Sequence, residues 1–579
     1  MKITQRMAAP RAAWTLEQAG IHPLLARLFA ARGVQHPDEL SDDLARLEPP
    51  EQMRGTHEAA MLLADALQAG QHICIVADYD CDGATACATA VRGLRGLAQA
   101  MGGGPQVSYL VPDRVQDGYG LTPAIARRVQ AVGAHLLVTV DNGIASLDGV
   151  AAARALGLQV LVTDHHLPAE LDGQVVLPED CVIVNPNQPG CGFASKAVAG
   201  VGVMFYVLLA LRAELRRRGV FTAHNQPRID RLLPLVALGT VADVVRLDAL
   251  NRRLVAQGLK RIRAGQLPAG MAALFEEAQR PMAKASSFDL GFALGPRLNA
   301  AGRLSDMTLG IECLLTDDPA TAQALAQQLD QINRERKRLE GDMREQALLL
   351  ADRLWQDDTT PPAALTLFDP GFHEGVVGIV ASRLKDKLHR PTFVFARSQA
   401  SGKDHELKGS GRSIAGFHLR DALDLLAKRH PGVLLRFGGH AMAAGCTIAA
   451  DQLATFDTAL QQIAREWLDE ATLQRRLEAD GPLEPAYRRW DMATTLQQQV
   501  WGQGFAPPLF CEELDIVSQR LVGQGHLSMK LRHGQDLVDA IWFGRAEPLP
   551  PRARLAYRLD VDEWQGQQRV RFIVEDAET

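Results

Sequence analysis

The sequence predicts an α/β protein with a parallel-sheet domain, a smaller α/β domain joined to it by a long helix, and a small β-barrel of OB type at the C-terminal end. Three observations predict it. Between about residues 70 and 250, short β-rich runs alternate with helical stretches. A highly charged helical pattern extends from Asp317 to Trp355, with no proline between Leu329 and Trp355. Beyond about residue 475 the texture becomes short alternating strands with glycine turns. A chain of 579 residues is also too long for one core, and domains of about 100–200 residues make three or so the expectation.

The first region contributes five runs: His72–Ala77, Gln106–Val111, His135–Val140, Gln159–Thr163 and Val182–Val184. Short apolar strands separated by helices signal βαβ units and a parallel sheet. Ligands bind beyond the carboxyl ends of such strands, and the polar residues singled out below lie at those ends. The helix candidate Ala197–Leu211 is apolar but shorter than the roughly 20 residues of a membrane span, so it reads as buried. The charged run reads as a linking helix, and Pro361-Pro362 closes it. A second unit follows, with strands ALTLFD and TFVFA, a turn PGFHEGVVG, a helix IVASRLKDKL, and the glycine-bearing KGSGRSI and RFGGHAMAAG. The expected division is 1–50, an N-terminal segment; 51–315, the parallel-sheet domain; 316–360, the connecting helix; 361–470, the second α/β domain; and 471–579, the barrel.

Hydrophobic content of 47% and charged content of 22% are those of an ordinary globular protein. The net charge of −6 excludes a globally basic nucleic-acid binder, so any such site is a local groove. The eight cysteines are scattered without a CxxC pair, which argues against structural zinc and a disulfide framework. With no hydrophobic signal core in MKITQRMAAPRAAW, a cytoplasmic protein is expected, with no membrane association.

The chemistry is concentrated in four places. Asp78, Asp80 and Asp82 in DYDCDG follow an apolar strand at i, i+2 and i+4. On an extended segment they would share a face, and charges that close need a cation to offset them. The competing reading is a helix cap, for which one Asp suffices. Asp141 in VDNG follows the next strand, and Asp164-His165-His166 follow another. Asp243 sits inside the apolar ALGTVADVVRL, where an unpaired carboxylate is costly. Five or more Asp with two His make a sensible ligand set for two divalent cations, Mn²⁺ or Mg²⁺, acting on a phosphoester.

In this order, DYDCDG, VDNG, TDHH and ALGTVADVV resemble the motifs of the DHH phosphoesterase superfamily. GFHEGVVGIVASRL, GSGRSI and FGGHAMAAG resemble its DHHA1 companion domain. VPDRVQDGYGL, VNPNQPGC, GPRLNAAGRL and the β-rich tail resemble its branch of single-strand-specific exonucleases. Cys81 stands where Ala is more usual, and its side chain is expected to point away from the carboxylates. The resemblance implies metal-ligand roles for Asp80, Asp82, Asp141, His165 and Asp243, with Asp78, Asp164 and His166 as ligands or their supports. It implies a monomer that degrades single-stranded DNA from a 5′ end in repair and recombination. Single-strand-binding protein and a RecQ-type helicase would be its partners.

By the same resemblance, Arg114, Arg297, Arg303, Ser410 and Arg412 would anchor the terminal phosphate and nearby backbone, and His440 would reach the scissile phosphate. Each arginine has a bland alternative as a surface ion pair, and the glycines of KGSGR would let backbone approach a ligand. In the tail, Trp542, Phe543, Lys530 and Arg532 are candidates for tracking single strands, with barrel core the favoured reading of the two aromatics. Two other functions compete. One is a phosphodiesterase of the same superfamily acting on short oligonucleotides or cyclic dinucleotides. The other is a non-catalytic DNA-binding scaffold, against which the full Asp/His set argues.

Overall fold

The computed structural model describes residues 2–104, 106–113, 117, 120–171, 173–356, 362–400, 402–523, 525–564 and 567–578. They form two compact units. The larger comprises 3–302, 306–330 and 478–579, and the smaller comprises 1–2, 303–305 and 331–477.

The larger unit is built on a five-stranded parallel sheet. Its strands are β1 (Ile73–Ala77), β2 (Val107–Leu110), β3 (Leu136–Val140), β4 (Gln159–Thr163) and β5 (Val182–Val184), in spatial order β2-β1-β3-β4-β5. β1 and β3 are buried along their whole length. Both faces are therefore covered, as parallel sheets require. All five foreseen runs are strands, three of them trimmed by a residue at one or both ends.

Helix α1 (Cys81–Ala100) follows β1 directly. The apolar segment is α2 (Gly200–Arg217), buried on nearly every side against α1 and its neighbours. α3 (Leu233–Ala242) is equally buried and ends at Asp243. A helical stretch begins with one α-helical turn, Ser287–Asp289, widens into a π-helical turn, Leu290–Leu294, and continues as α4 (Gly295–Leu304). The charged run is the helix α5 (Pro319–Gln356). Among the described residues no helix is long and apolar enough to cross a membrane.

The smaller unit carries β6 (Leu365–Phe368), α6 (Val377–Leu388), β7 (Thr392–Arg397), β8 (Glu406–Arg412), β9 (Leu434–Gly439) and β10 (Ala443–Ala449). Its sheet runs β9-β10-β8-β7-β6, with only the β6/β7 pair parallel. The chain then returns to the larger unit and closes a five-stranded barrel from β11 (Phe510–Val522), β12 (His526–His533), β13 (Asp536–Trp542), β14 (Arg552–Trp564) and β15 (Gln567–Glu578). Arg32 and Asp480, both buried, pair at 2.9 Å and tie the N-terminal helices to the segment that leads into the barrel.

The favoured reading of the tail aromatics holds for neither residue in full. Phe543 is half exposed against His526, and Trp542 is part-buried with Arg545 stacked 4.5 Å from its ring centre. Lys530 pairs with Asp539 at 2.6 Å.

Candidate metal centre

The strand ends decide where the acids converge. Ala77, Val140, Thr163 and Val184 are successive partners across β1, β3, β4 and β5. The next residue of each strand is therefore Asp78, Asp141, Asp164 and Asn185, side by side at the carboxyl edge. Neighbouring strands lie about 4.8 Å apart, so Asp141 stands between Asp78 and Asp164 in one row. Asp78, Asp141, Asp164 and Asn185 are all buried.

The extended DYDCDG that the spacing suggests does not form. The chain turns into α1 at Cys81, so Asp80 is the N-cap and its Oδ1 accepts Gly83 N–H at 3.0 Å. Asp82 lies in the first helical turn, fully buried. Asp80 thus caps α1 through one oxygen, while Asp82 is buried inside the first turn. Asp82 is held from the other side: the N–H groups of Gly200 and Val201, at the start of α2, donate to its two oxygens at 2.7 and 3.0 Å. A helix N-terminus favours an anion there.

The side chains form three overlapping groups whose ligand atoms lie within 4.8 Å of one another: Asp78, Asp80 and Asp141; Asp82, His165 and Asp243; and Asp141, His165 and His166. Asp141 and His165 are shared between groups, the arrangement two adjacent cations require. His165 Nε2 lies 3.1 Å from Asp141 Oδ1, 3.5 Å from Asp243 Oδ2 and 4.0 Å from Asp82 Oδ2. Asp141 Oδ1 is buried and makes no hydrogen bond. An orphaned carboxylate oxygen in such a place fits a cation as its partner. Backbone strain marks the same spots. Asp141 and Val244, the residue after Asp243, both adopt left-handed φ of 62° and 63°, costly for a β-branched Val.

Burial first, and then the charges of Asp243 and Asp80, push the Asp82 carboxyl well above the usual range. Asp141 is raised in the same way by burial and by Asp82 and Asp80. Burial and Asp80 push Asp243 up to about 7. Packed carboxyl groups that resist ionisation are what a site built for cations looks like without its charge partner.

Asp164 behaves differently. Burial opposes its charge, but His166 and backbone N–H groups outweigh that and hold it low. Its Oδ1 accepts His165 N–H at 2.7 Å, His166 N–H at 3.1 Å and bonds His166 Nδ1 at 2.8 Å, while Oδ2 accepts Ile144 N–H at 3.0 Å. Both oxygens face N–H donors, so its geometry is that of an orienting carboxylate. Burial lowers His166, yet Asp164 and the surrounding acids push it up to about 9.

Sequence reasoning passes over several residues that shape this site. Asn185 and Asn187 donate to the carbonyls of His166 and His165, at 3.0 and 2.6 Å. The buried Asn142 amide bonds Val76 O and Val140 O at 3.1 and 2.9 Å. Asn299 Oδ1 accepts Cys81 N–H at 2.9 Å. VNPNQPGC and LNAAG stand out as motifs, but nothing local to them says that their amides point at a histidine backbone or at a helix start. Cys81 is itself buried and raised by burial and by Asp80, Asp82 and Asp243.

The substrate-reading candidates are split between the units. In the larger, Arg297 pairs with the buried Asp330 at 2.8 Å and donates to Ala293 O, so the ion-pair reading is part of its role. In the smaller, Arg412 Nη1 donates to Ser410 Oγ at 3.1 Å, and both side chains lie against Gly378 in the first turn of α6, where a Cβ would come within 3.0 Å of them. The glycines of KGSGR also make room for aromatic rings. Added Cβ atoms at Gly409 and Gly411 would fall 2.3 and 2.4 Å from the rings of Phe395 and Phe393. Arg303 is part-buried in the smaller unit, with its carbonyl beside Gly375. His440 closes β9, its N–H donating to Ala443 O at 2.8 Å. Arg114 lies outside the described residues.

Residues 72–240 match the DHH family N-terminal domain, 361–466 the DHHA1 domain and 479–576 the RecJ OB domain. Over 568 residues the chain is 45% identical to the single-stranded-DNA-specific exonuclease RecJ of Escherichia coli, covering 96% of each chain. It is 32% identical to that of Thermus thermophilus, covering 96% of this chain and 76% of the relative. The crystal structure of Thermus thermophilus RecJ in complex with Mn²⁺ superposes with a TM-score of 0.80 at 30% identity, over 100% of this chain and 79% of the other. A second structure, exonuclease RecJ bound to manganese, gives 0.59 at 34% identity over 73% and 98%.

Proposed function

Because this chain belongs to the RecJ family of single-stranded-DNA-specific exonucleases, we propose that it degrades single-stranded DNA from the 5′ end to mononucleotides, by hydrolysis assisted by two divalent cations, in DNA repair and recombination. The observation that supports this best is the acidic row at the sheet edge, with the buried, unbonded Asp141 Oδ1 at its centre. Asp78, Asp80, Asp82, Asp141, His165 and Asp243 would hold Mn²⁺ or Mg²⁺. Asp164, expected as a ligand or a support, takes the supporting role and orients His165 and His166. Bound cations of this kind acidify water and neutralise charge developing at phosphorus. The protein's own contribution is positional. The N-terminus of α2 fixes Asp82, and the Asn185 and Asn187 amides fix the histidine backbone. His166, whose protonated form Asp164 and the surrounding acids favour, would donate a proton to a leaving oxygen or steady a phosphate.

Arg297, Arg303, Ser410, Arg412 and His440 are assigned to the terminal and scissile phosphates, with Arg114 as a further anchor. Arg412 with Ser410 at the first turn of α6 is the best supported of these, since a guanidinium beside helix N–H groups suits a phosphate. The protein acts as a cytoplasmic monomer, with single-strand-binding protein and a RecQ-type helicase as partners. The test is nucleotide release from end-labelled single-stranded DNA with Mn²⁺. Strands with a free 5′ end should be consumed and 5′-blocked strands spared. Cleavage of dinucleotides alone would make the chain a small-substrate phosphodiesterase. DNA binding without cleavage would make it a scaffold.

A further inference from the structure

Two of the exposed aromatic side chains in the larger unit stack on each other. Phe288 is 48% and Phe292 70% exposed, and their rings stack with centroids 4.7 Å apart at 22°. A Phe in water forgoes about 2 kcal/mol of burial, so a pair left out together in a well-packed unit calls for an occupant. The pair stands where the helix from Ser287 widens into its π-helical turn, a distortion found mostly at functional sites.

The surroundings name the occupant. Gly291 and Gly295 of this stretch lie against Val241 and Ala242, where Cβ atoms would approach to 3.2 and 3.0 Å. Those residues lead directly into Asp243 and the exposed, left-handed Val244. Further along the same helix, Asn299 bonds Cys81 N–H, and Gly302 sits so close to Tyr79 O that a Cβ would fall at 1.9 Å. The element carrying the aromatic pair is thus keyed to both acidic loops of the centre. Flat, exposed aromatic rings on an element packed against those loops suit nucleobases, which stack on such rings regardless of sequence.

We propose that Phe288 and Phe292 form a stacking platform for bases of the single-stranded substrate beside the acidic centre. The proposal rests on the exonuclease reading above. Replacing both by Leu keeps their apolar bulk and removes the rings. The expected result is a KM for single-stranded DNA raised about 10- to 100-fold, since each stacked base contributes roughly that factor, with kcat within about threefold. The Trp pair should restore KM, and 2-aminopurine placed near the 5′ end should be quenched by wild type and Trp variants but not by the Leu pair. An unchanged KM in a Leu pair that is folded and active overturns the platform, and so does a raised KM without rescue by Trp. A protein partner bound at this patch would leave KM on naked DNA untouched, which likewise overturns it. Failure of the exonuclease reading is distinct: wild type itself would then not cleave DNA.

Discussion

Gly200→Ala tests the metal centre without replacing any proposed ligand. An added Cβ at position 200 lies 2.4 Å from Asp141 Oδ1 and 2.7 Å from its Cβ and Cγ, whereas ordinary contact begins near 3.4 Å. Something must move by about 1 Å. If Asp141 moves, the shared carboxylate leaves its place. If the start of α2 moves, the N–H groups that hold Asp82 at 2.7 and 3.0 Å move with it. Either way a candidate ligand is displaced by about 1 Å, an error that costs about 100-fold in rate, or about 2.7 kcal/mol. The assay is nucleotide release from single-stranded DNA with Mn²⁺, with Mn²⁺ affinity measured by calorimetry. Gly96→Ala, on the helix that carries Asp82 but with nothing within 4 Å, serves as control and should be silent. A Gly200→Ala protein with kcat/KM within about threefold of wild type and unchanged Mn²⁺ affinity would refute the geometry described above.

The remaining predictions probe the acids and their supports. Asp82→Ala and His165→Ala should each abolish turnover while leaving the circular dichroism spectrum unchanged; near-normal turnover in either would sink the ligand assignment. Asp141→Asn should leave the metal-free thermal midpoint equal or higher, because one buried like charge is removed. It should also lose the gain that Mn²⁺ gives wild type, about 2.7 kcal/mol at a hundredfold excess over Kd. Asn187→Ala frees the His165 carbonyl and should weaken Mn²⁺ binding about 10- to 100-fold. Mn²⁺ affinity should rise with pH between about 6 and 8, because binding displaces the proton that Asp243 retains up to about 7; a flat profile in calorimetry would contradict this. Away from the site, Arg217 and Arg218 pull Glu214 from 4.5 down to about 2. Its contribution to stability is therefore present above pH 4.5 and lost as pH falls through about 2. The urea midpoints of wild type and Glu214→Gln should differ at about pH 6 and converge toward about pH 2.

Much of the protein is legible in its sequence because much of it is locally encoded. The five strands announce themselves through β-rich runs of the right length, and the helix from Pro319 through its charge pattern and the absence of proline beyond its first residue. The barrel follows from strand alternation and glycine turns. The acids and histidines can be chosen as candidates because a carboxylate at the end of an apolar strand is costly without a partner. What the tertiary structure decided is which of them meet. The register Ala77–Val140–Thr163–Val184 aligns three acids and an asparagine, and register is a property of paired strands that no single strand contains. The turn into α1 separates the capping Asp80 from the buried Asp82, which spacing alone places on one face. Asp164 becomes an orienting group only because His166 and Ile144 N–H occupy its oxygens. Gly409 and Gly411 make room for phenylalanine rings, and Phe543 faces solvent. Composition and periodicity select residues able to do a chemistry. Only close packing between distant segments, where a single Cβ would collide, determines the few ångströms over which that chemistry operates.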